Sequence, residues 1–270
     1  MNIKEKPLIF DGAMGTYYAS VKEKPLSKCE LANIYDRNTI LNIHKEYISA
    51  GCMAIKTNTF GANKISLESD FDTVKDVIVK GYEIAMEASR GTEVLVFADI
   101  GPIPFLEMLD LWEAYKEIVD LFLKIGATHF IFETFSSDEY LPELSKYIKG
   151  KNPKAYILME LSVSPEGFTR IGISGKKFIE KVSQISTIDA CGFNCFSGPN
   201  HLLKYIKTLN IENKTISIMP NSGYPTVINN RTFFNNSKEY FARQMLEIAK
   251  VGVGIIGDRK STRLNSSHHP

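Results

Sequence analysis

Eight short apolar runs divide the chain, and each ends in small or polar residues before an amphipathic stretch begins. The runs occupy residues 8–12, 54–61, 94–102, 129–136, 156–164, 190–199, 215–223 and 251–258. Near-continuous apolar strands are typical of a parallel sheet that is covered on both faces. The pattern therefore predicts eight parallel β-strands.

Amphipathic segments between the runs predict helices. Four of them end close to a glycine, a common helix stop signal, namely Gly51, Gly91, Gly126 and Gly252. The segments LPELSKYIKG, KKFIEKVSQI and HLLKYIKTLN carry a weaker helical pattern. Eightfold alternation of strand and helix predicts an α/β fold, a single-domain (β/α)8 TIM barrel. The alternative is a doubly wound open sheet, which usually has fewer strands, and no GxGxxG motif follows the first run.

The composition narrows the class of protein. The 270 residues are 44% hydrophobic and 23% charged, with a formal net charge of +1. This balance predicts a globular protein and argues against a nucleic-acid-binding surface, which usually shows a basic excess. No apolar run reaches the ~18 residues of a membrane span, and the amino terminus lacks a signal-peptide pattern. Four cysteines indicate reduced thiols, so we expect a cytoplasmic protein without a membrane association.

Polar residues gather where the predicted strands end, which is where barrel active sites form. They are Asp11, Thr57, Asn58, Thr59, Asp99, Glu133, Thr134, Glu160, Asn194, Cys195 and Asn221. Asp11 is either a turn residue or a carboxylate that pairs with a substrate ammonium. Glu133 follows three apolar residues, where a carboxylate is costly unless it is paired or solvated, so we favour a functional role. Asp99 and Glu160 could serve only to bridge neighbouring loops.

The cysteines differ in their positions. Cys29, Cys52 and Cys191 fit the common role of a small buried apolar residue. Cys195 instead follows Asn194 at a strand end and precedes SGP. An extended strand would separate Cys191 from Cys195 by roughly 13 Å, so zinc at Cys195 would need ligands from other strands.

Six segments in order at the strand ends resemble the homocysteine S-methyltransferase family over about residues 7–257. They are DGAMGT, GCMAIKTNTFGAN, ADIGP, FETFS, GFNCFSGP and PNSGYP. The sequence is also similar to the amino-terminal module of clostridial bifunctional proteins, in which a methylenetetrahydrofolate reductase domain follows. It is similar as well to the amino-terminal module of cobalamin-dependent methionine synthase.

The resemblance implies zinc-dependent methyl transfer to the homocysteine thiol, which forms methionine. Family members hold one Zn²⁺ with three cysteines, and the homocysteine sulfur completes the tetrahedron. The first of these cysteines matches Cys195. Asn221 matches a position beside the metal, where its amide oxygen could fill the open coordination position in the absence of substrate.

The resemblance also implies the substrate contacts. Asp11 and Glu133 match the carboxylates that bind the homocysteine ammonium, and we assign Thr57 and Asn58 to the same substrate site. The methyl donor is either a separate molecule or a partner domain, and the clostridial resemblance favours methylfolate or cobalamin. A downstream reductase domain is a further expected partner.

The eighth run departs from the family pattern. It reads VGVGIIGD, and Asp258-Arg259 stand where the family has two adjacent cysteines. The sequence that follows is polar and aperiodic. We therefore expect residues 1–257 to form the barrel and residues 258–270 to be a non-native or disordered tail. We also expect the last helix of the barrel to be missing. Asp258, His268 and His269 are ligand types, but an inert tail is the simpler interpretation.

These departures predict weak or absent zinc and impaired activity. Two alternatives remain open from the sequence. One is a metal-independent barrel enzyme that uses Asp11 and Glu133. The other is a non-catalytic domain that binds homocysteine or serves as a scaffold.

Overall fold

The computed structural model describes residues 6–22, 28–210, 214–221, 225–228, 231–234 and 237–258, with the backbone alone for 225–228 and 231–234. These described residues include ten strands, β1 to β10 in chain order. They are Leu8–Ile9, Ala54–Lys56, Leu95–Ile100, His129–Phe135, Tyr156–Leu161, Ala190–Asn194, Thr215–Met219, Pro225–Ile228, Arg231–Phe234 and Ile255–Ile256.

Eight of these strands form one parallel sheet in the order β1-β10-β7-β6-β5-β4-β3-β2. The two edges of this sheet meet, because Phe10 bridges to Ala54 in parallel register. The Met53 amide donates to the Ile9 carbonyl at 2.7 Å, and the Asp11 amide donates to the Ala54 carbonyl at 2.9 Å. The sheet is therefore closed, which confirms the predicted (β/α)8 barrel and rules out the open sheet.

Helices cover the outside of the barrel. In chain order, α1 to α10 are Met14–Lys22, Ala32–Tyr35, Arg37–Ser49, Lys64–Leu67, Phe71–Ala88, Leu111–Lys124, Leu141–Lys151, Gly175–Val182, Pro199–Ile206 and Lys238–Lys250, and a 3₁₀ turn spans Cys29–Leu31. All seven predicted helices are present. Gly51 (φ 95°) and Gly252 (φ 94°) adopt the left-handed backbone that a glycine stop provides. Among the described residues, no helix combines the length and apolarity needed to cross a membrane.

Two apolar regions hold the barrel together. The smaller one fills the barrel interior, and we call it the inner apolar cluster. Its buried members are Phe10, Ala54, Phe97, Ile131, Leu158, Ala190, Met219 and Ile255. The larger one packs the outer faces of the strands against the helices. Each strand thus buries alternate residues on opposite faces, which explains its near-continuous apolar sequence.

The structure refines the sequence predictions in two places. All eight predicted barrel strands are present, but each is shorter than its apolar run, because the polar ends of the runs form loops. The antiparallel pair β8 and β9 was not predicted. Residues 259–270, and with them the predicted tail and missing helix, lie outside the described residues, as do Arg259, His268 and His269.

Candidate active site

The barrel interior changes from apolar to polar near the carboxyl ends of its strands. Side chains two residues apart on a strand point to the same face. Two positions beyond Ala54, Phe97, Ile131 and Leu158 stand Lys56, Asp99, Glu133 and Glu160, all buried. Together with the buried Asp11 and Asn194, we call these residues the mouth cluster.

An ion pair crosses the mouth cluster. Lys56 Nζ lies 3.4 Å from Glu133 Oε2, and the side chains are only 6% and 1% exposed. Removing both charges from water is costly, and their attraction offsets this cost only when further hydrogen bonds satisfy them. Such a buried ion pair is weak evidence for stabilisation of the fold and stronger evidence for a ligand-binding site.

Asn194 fixes the position of Glu133. Its Nδ2 donates to Glu133 Oε2 at 3.1 Å and to Thr134 Oγ1 at 3.0 Å, while its Oδ1 accepts from the Thr134 amide at 2.9 Å. Thr134 has φ 67°, and the register of β4 against β5 shifts between Phe132 and Phe135. This bulge at the end of β4 is the kind of irregularity that redirects side chains near active sites.

Lys56 also connects the two carboxylates that the sequence singled out. Its main-chain amide donates to Asp11 Oδ2 at 3.0 Å, and its side chain pairs with Glu133. The structure therefore brings Asp11 and Glu133 to the same residue at the end of β2. Sequence reasoning missed Lys56, although a lysine that closes the apolar run AIK is a signal for a buried charge.

Thr57 and Asn58 are buried beside this cluster and are bonded to protein groups. The Thr57 hydroxyl lies 2.6 Å from that of Thr59 and accepts from the Asp99 amide at 2.9 Å. The Asn58 amide nitrogen donates to Asn33 Oδ1 at 2.9 Å and to the Cys29 carbonyl at 3.0 Å. These contacts join β2 to β3 and to the outer helices. The assignment of Thr57 and Asn58 to the substrate site stays a prediction.

Asp99 links the neighbouring strands β3 and β2, and Glu160 links β5 to β7 across β6. The Asp99 main chain bonds to Thr57 and Thr59, and Glu160 Oε1 accepts from the Ser217 hydroxyl at 2.5 Å. Between β5 and β7, a Cβ on Gly192 would lie 1.8 Å from the Ser217 carbonyl oxygen, so the position requires glycine. The close approach of β6 and β7 supports the bond between Glu160 and Ser217.

Cys195 and Asn221 follow two adjacent strands. Cys195 is half-buried, with φ 56°, and Phe196 has φ 47°, so a left-handed turn ends β6 and breaks the alternation that began at Cys191. The Cys195 amide donates to the Met219 carbonyl at 3.1 Å, and the Asn221 amide donates to the Ser197 carbonyl at 3.1 Å. The turn after β6 is therefore bonded to the end of β7.

The residues near Cys195 do not by themselves form a zinc site. Asn221 Oδ1 is buried and has no hydrogen-bond partner among the described residues, as expected of a ligand atom. Burial raises the pKa of the other three thiols, Cys29, Cys52 and Cys191, to about 12, so these thiols are protonated at neutral pH. No group of three or more His, Cys, Asp or Glu side chains within the described ranges could hold a metal. One thiol and one amide oxygen fall short of the four ligands of tetrahedral zinc.

Position 258 supplies no thiol either. Asp258 is half-buried and follows β10, which lies between β1 and β7 in the sheet. The paired cysteines of the family pattern would stand at this end of the barrel. Of the side chains that the resemblance implies, the described residues include both carboxylates but only one of the three thiols.

Curated relatives share this chain's sequence at a modest level. The chain is 26% identical over 256 residues to the methionine synthase of Mycobacterium tuberculosis, and the matched region covers 83% of this chain and 21% of that protein. It is 24% identical over 287 residues to the methionine synthase of Mycobacterium leprae, with coverage of 94% and 23%. The chain therefore spans about a fifth of the length of these relatives.

Solved structures share the fold. The oxidised form of the homocysteine methyltransferase MmuM from Escherichia coli superposes with a TM-score of 0.75 at 17% identity, covering 97% of this chain and 94% of that chain. The family model described as homocysteine S-methyltransferase matches residues 8–258, nearly the whole described barrel. The chain belongs to the homocysteine S-methyltransferase family.

Proposed function

We propose that the barrel binds homocysteine at its carboxyl-terminal mouth and transfers a methyl group to the homocysteine thiol, which forms methionine. The observation that carries this proposal is the pairing of buried Asp11 and Glu133 through Lys56, directly above the inner apolar cluster. Family membership supports it, as does the fold shared with the homocysteine methyltransferase of E. coli. The activity belongs to one-carbon metabolism and methionine biosynthesis.

The mouth cluster can recognise the amino-acid end of homocysteine. An ammonium ion donates charge-assisted hydrogen bonds to carboxylates, and these bonds are strongest where water is excluded. Glu133 is held by Asn194 and Asp11 by the main chain of β2, so both acceptors are positioned before the ligand arrives. Thr57 and Asn58 extend this wall and are assigned to substrate binding in the same proposal.

The sulfur end would then face the strand ends that carry Cys195 and Asn221. We propose that this chain binds zinc weakly through these two residues and that methyl transfer is correspondingly slow. An unassisted thiol has a pKa of about 8.5, so only a few per cent of homocysteine would be thiolate at pH 7. Since the described residues do not complete a zinc site, the slow rate follows from the low thiolate fraction.

The methyl donor and the location are part of the proposal. The mycobacterial relatives are methionine synthases about five times as long as the matched region, which supports a methylfolate or cobalamin route through a partner domain. A downstream reductase domain fits the same arrangement. Four free cysteines support a reducing, cytoplasmic location.

A non-catalytic homocysteine-binding domain is the second candidate, because the described residues include both carboxylates that the resemblance implies but only one of its three thiols. Changing Asp258 and Arg259 together to cysteine distinguishes the two. The enzyme is supported if the wild-type chain transfers methyl groups and the double change raises this rate at least ~10-fold. The doubly changed protein should then also bind about one equivalent of zinc. Homocysteine binding without turnover in either protein supports the binding domain. Absence of homocysteine binding in both proteins contradicts both candidates.

A further inference from the structure

Lys56 is unusual among the cations of this chain. Within the described ranges, it is the one Lys or Arg whose side chain is buried. Its surroundings are acidic, since Asp11, Asp99, Glu133 and Glu160 are buried at the same end of the barrel. The positive charge is thus outnumbered four to one by carboxylates in the region proposed to receive the substrate.

The ion pair of Lys56 is also long. Its 3.4 Å separation from Glu133 exceeds the roughly 2.7–2.9 Å of a strong N⁺–H···O⁻ hydrogen bond. Glu133 Oε2 accepts a shorter bond, at 3.1 Å, from Asn194. Asn194 therefore makes the closer of these two contacts with the carboxylate, and the contact with Lys56 is the looser one.

The ligand proposed above is a zwitterion. Its ammonium suits the mouth carboxylates, but its own carboxylate would be repelled by them and would be costly to bury without a cation. The ammonium and the carboxylate of an amino acid are attached to one carbon atom. A cation and a carboxylate that lie side by side, as Lys56 and Glu133 do, can therefore neutralise both groups at once.

A second cation near the mouth is less suited to this role. The guanidinium of Arg170 lies 5.6 Å from the centre of the Phe196 ring, beside Cys195, but Arg170 is exposed. Water weakens the attraction between exposed charges by a large factor relative to buried ones. Arg170 is thus a matched control, because it lies near the site and bears the same charge.

We propose that Lys56 determines the specificity of the site: its ammonium binds the substrate α-carboxylate while Glu133 binds the α-ammonium, so that the amino acid inserts into the Lys56–Glu133 ion pair. This inference rests on the proposed function and names the group that selects an amino acid over a simple amine. Homocysteine should therefore bind more tightly than 3-aminopropane-1-thiol, which has the same thiol and ammonium but lacks the carboxylate.

The test is a calorimetric titration of both thiols into the wild-type chain, Lys56→Met and Arg170→Met. We expect the wild type and Arg170→Met to prefer homocysteine by about 10–100-fold, the usual contribution of a hydrogen bond to a charged group. Lys56→Met should reduce this preference to below about 3-fold, through weaker homocysteine binding. Any effect at the thiol end cancels, because both ligands carry the same sulfur.

A second pair of variants guards against misfolding, since Lys56→Met leaves Glu133 without its cation. Glu133→Gln should weaken the binding of both ligands but keep the preference for homocysteine. Lys56→Met combined with Glu133→Gln should remove that preference. A preference that survives the loss of Lys56, or that disappears in Arg170→Met, overturns the inference and leaves the proposed function standing. Binding of neither thiol to the wild type overturns the proposed function as well.

Discussion

The mouth cluster lies beyond the inner apolar cluster along the same strands, and the two clusters differ in their contributions to stability and to binding. Phe97, in the apolar cluster, packs against Phe10 with ring centres 4.7 Å apart and against His129 at 5.1 Å. Lys56 and Glu133 lie two positions beyond Ala54 and Ile131 of the inner apolar cluster. They form a loose ion pair that is nearly as well buried as the rings. The first arrangement stabilises the fold by apolar burial, whereas the second removes charges from water.

This difference indicates how the barrel separates stability from binding. A buried ion pair is often no more stabilising than apolar residues of similar size. The polar residues at the mouth therefore have no evident role in stability that apolar residues could not fill. Their value is in recognising a charged ligand, and substitutions in the two clusters should separate these properties.

The largest effect on stability is expected in the inner apolar cluster. Phe97→Ala should lower the free energy of unfolding by about 3–5 kcal/mol, because it removes buried ring contacts and leaves a cavity. Urea denaturation measures this change, and the homocysteine affinity of the folded fraction should stay unchanged. Phe105→Ala is the control, since Phe105 is 72% exposed and its loss should change stability by less than about 0.5 kcal/mol. Equal effects of the two substitutions would contradict the packing of the cluster.

The mouth cluster should respond to paired changes in a different way. Glu133→Leu alone should cost about 2–3 kcal/mol, because it breaks the buried ion pair with Lys56 while the other mouth carboxylates remain nearby. Adding Lys56→Met should recover most of that stability, since both charges are then replaced by apolar groups. The double variant should nevertheless lose homocysteine affinity. Additive costs in chemical denaturation would show that the pair holds the fold together rather than serving the ligand.

His44 tests whether every buried polar group is functional. It lies on α3 and is fully buried, and neither ring nitrogen has a hydrogen-bond partner in the part of the chain that the structure describes. Burial lowers its pKa to about 4 from 6.5. The unfolded chain then binds a proton near pH 6.5 and the folded chain only near pH 4, so stability decreases as the pH falls through that window. The loss approaches about 3 kcal/mol at pH 4 and is absent above pH 7.

His44→Leu should remove this pH dependence while leaving the homocysteine affinity at pH 7.5 unchanged. The measurement is the difference in unfolding free energy between the two proteins from pH 4 to pH 8. A constant difference across that range would show that His44 does not titrate as its burial indicates. A change in affinity would extend the binding region beyond the mouth cluster.

The smallest effect is expected from Asn194, which orients Glu133 but carries no charge. Asn194→Ala should weaken homocysteine binding by about 5–10-fold, the usual effect of losing one hydrogen bond to a charged acceptor. Asn152→Ala is a control of the same chemistry, because Asn152 caps α7 and precedes the amino-terminal end of β5, whereas the mouth lies at the carboxyl-terminal ends of the strands. Comparable losses in both variants would show that the contact with Glu133 has no specific role.

The sequence was sufficient for the barrel and for part of the mouth. Eight apolar runs predicted eight strands, because residues buried on both faces leave an unmistakable pattern. Asp11, Glu133 and Asn194 were predicted from their positions at strand ends. Lys56 was not, because a lysine is usually solvated and only the folded barrel shows that its side chain points among carboxylates. The bonds from Asn58 to Asn33 and Cys29 also depend on a tertiary contact that no local pattern records.

The structure of the chain with bound L-homocysteine tests the central claim most directly. We predict that the α-ammonium lies within about 3 Å of the Glu133 carboxylate, that the α-carboxylate contacts Lys56 Nζ, and that the sulfur points toward Cys195. Homocysteine bound outside the barrel mouth would contradict this prediction. So would homocysteine bound at the mouth with its amino-acid end elsewhere and with Lys56 and Glu133 still paired to each other.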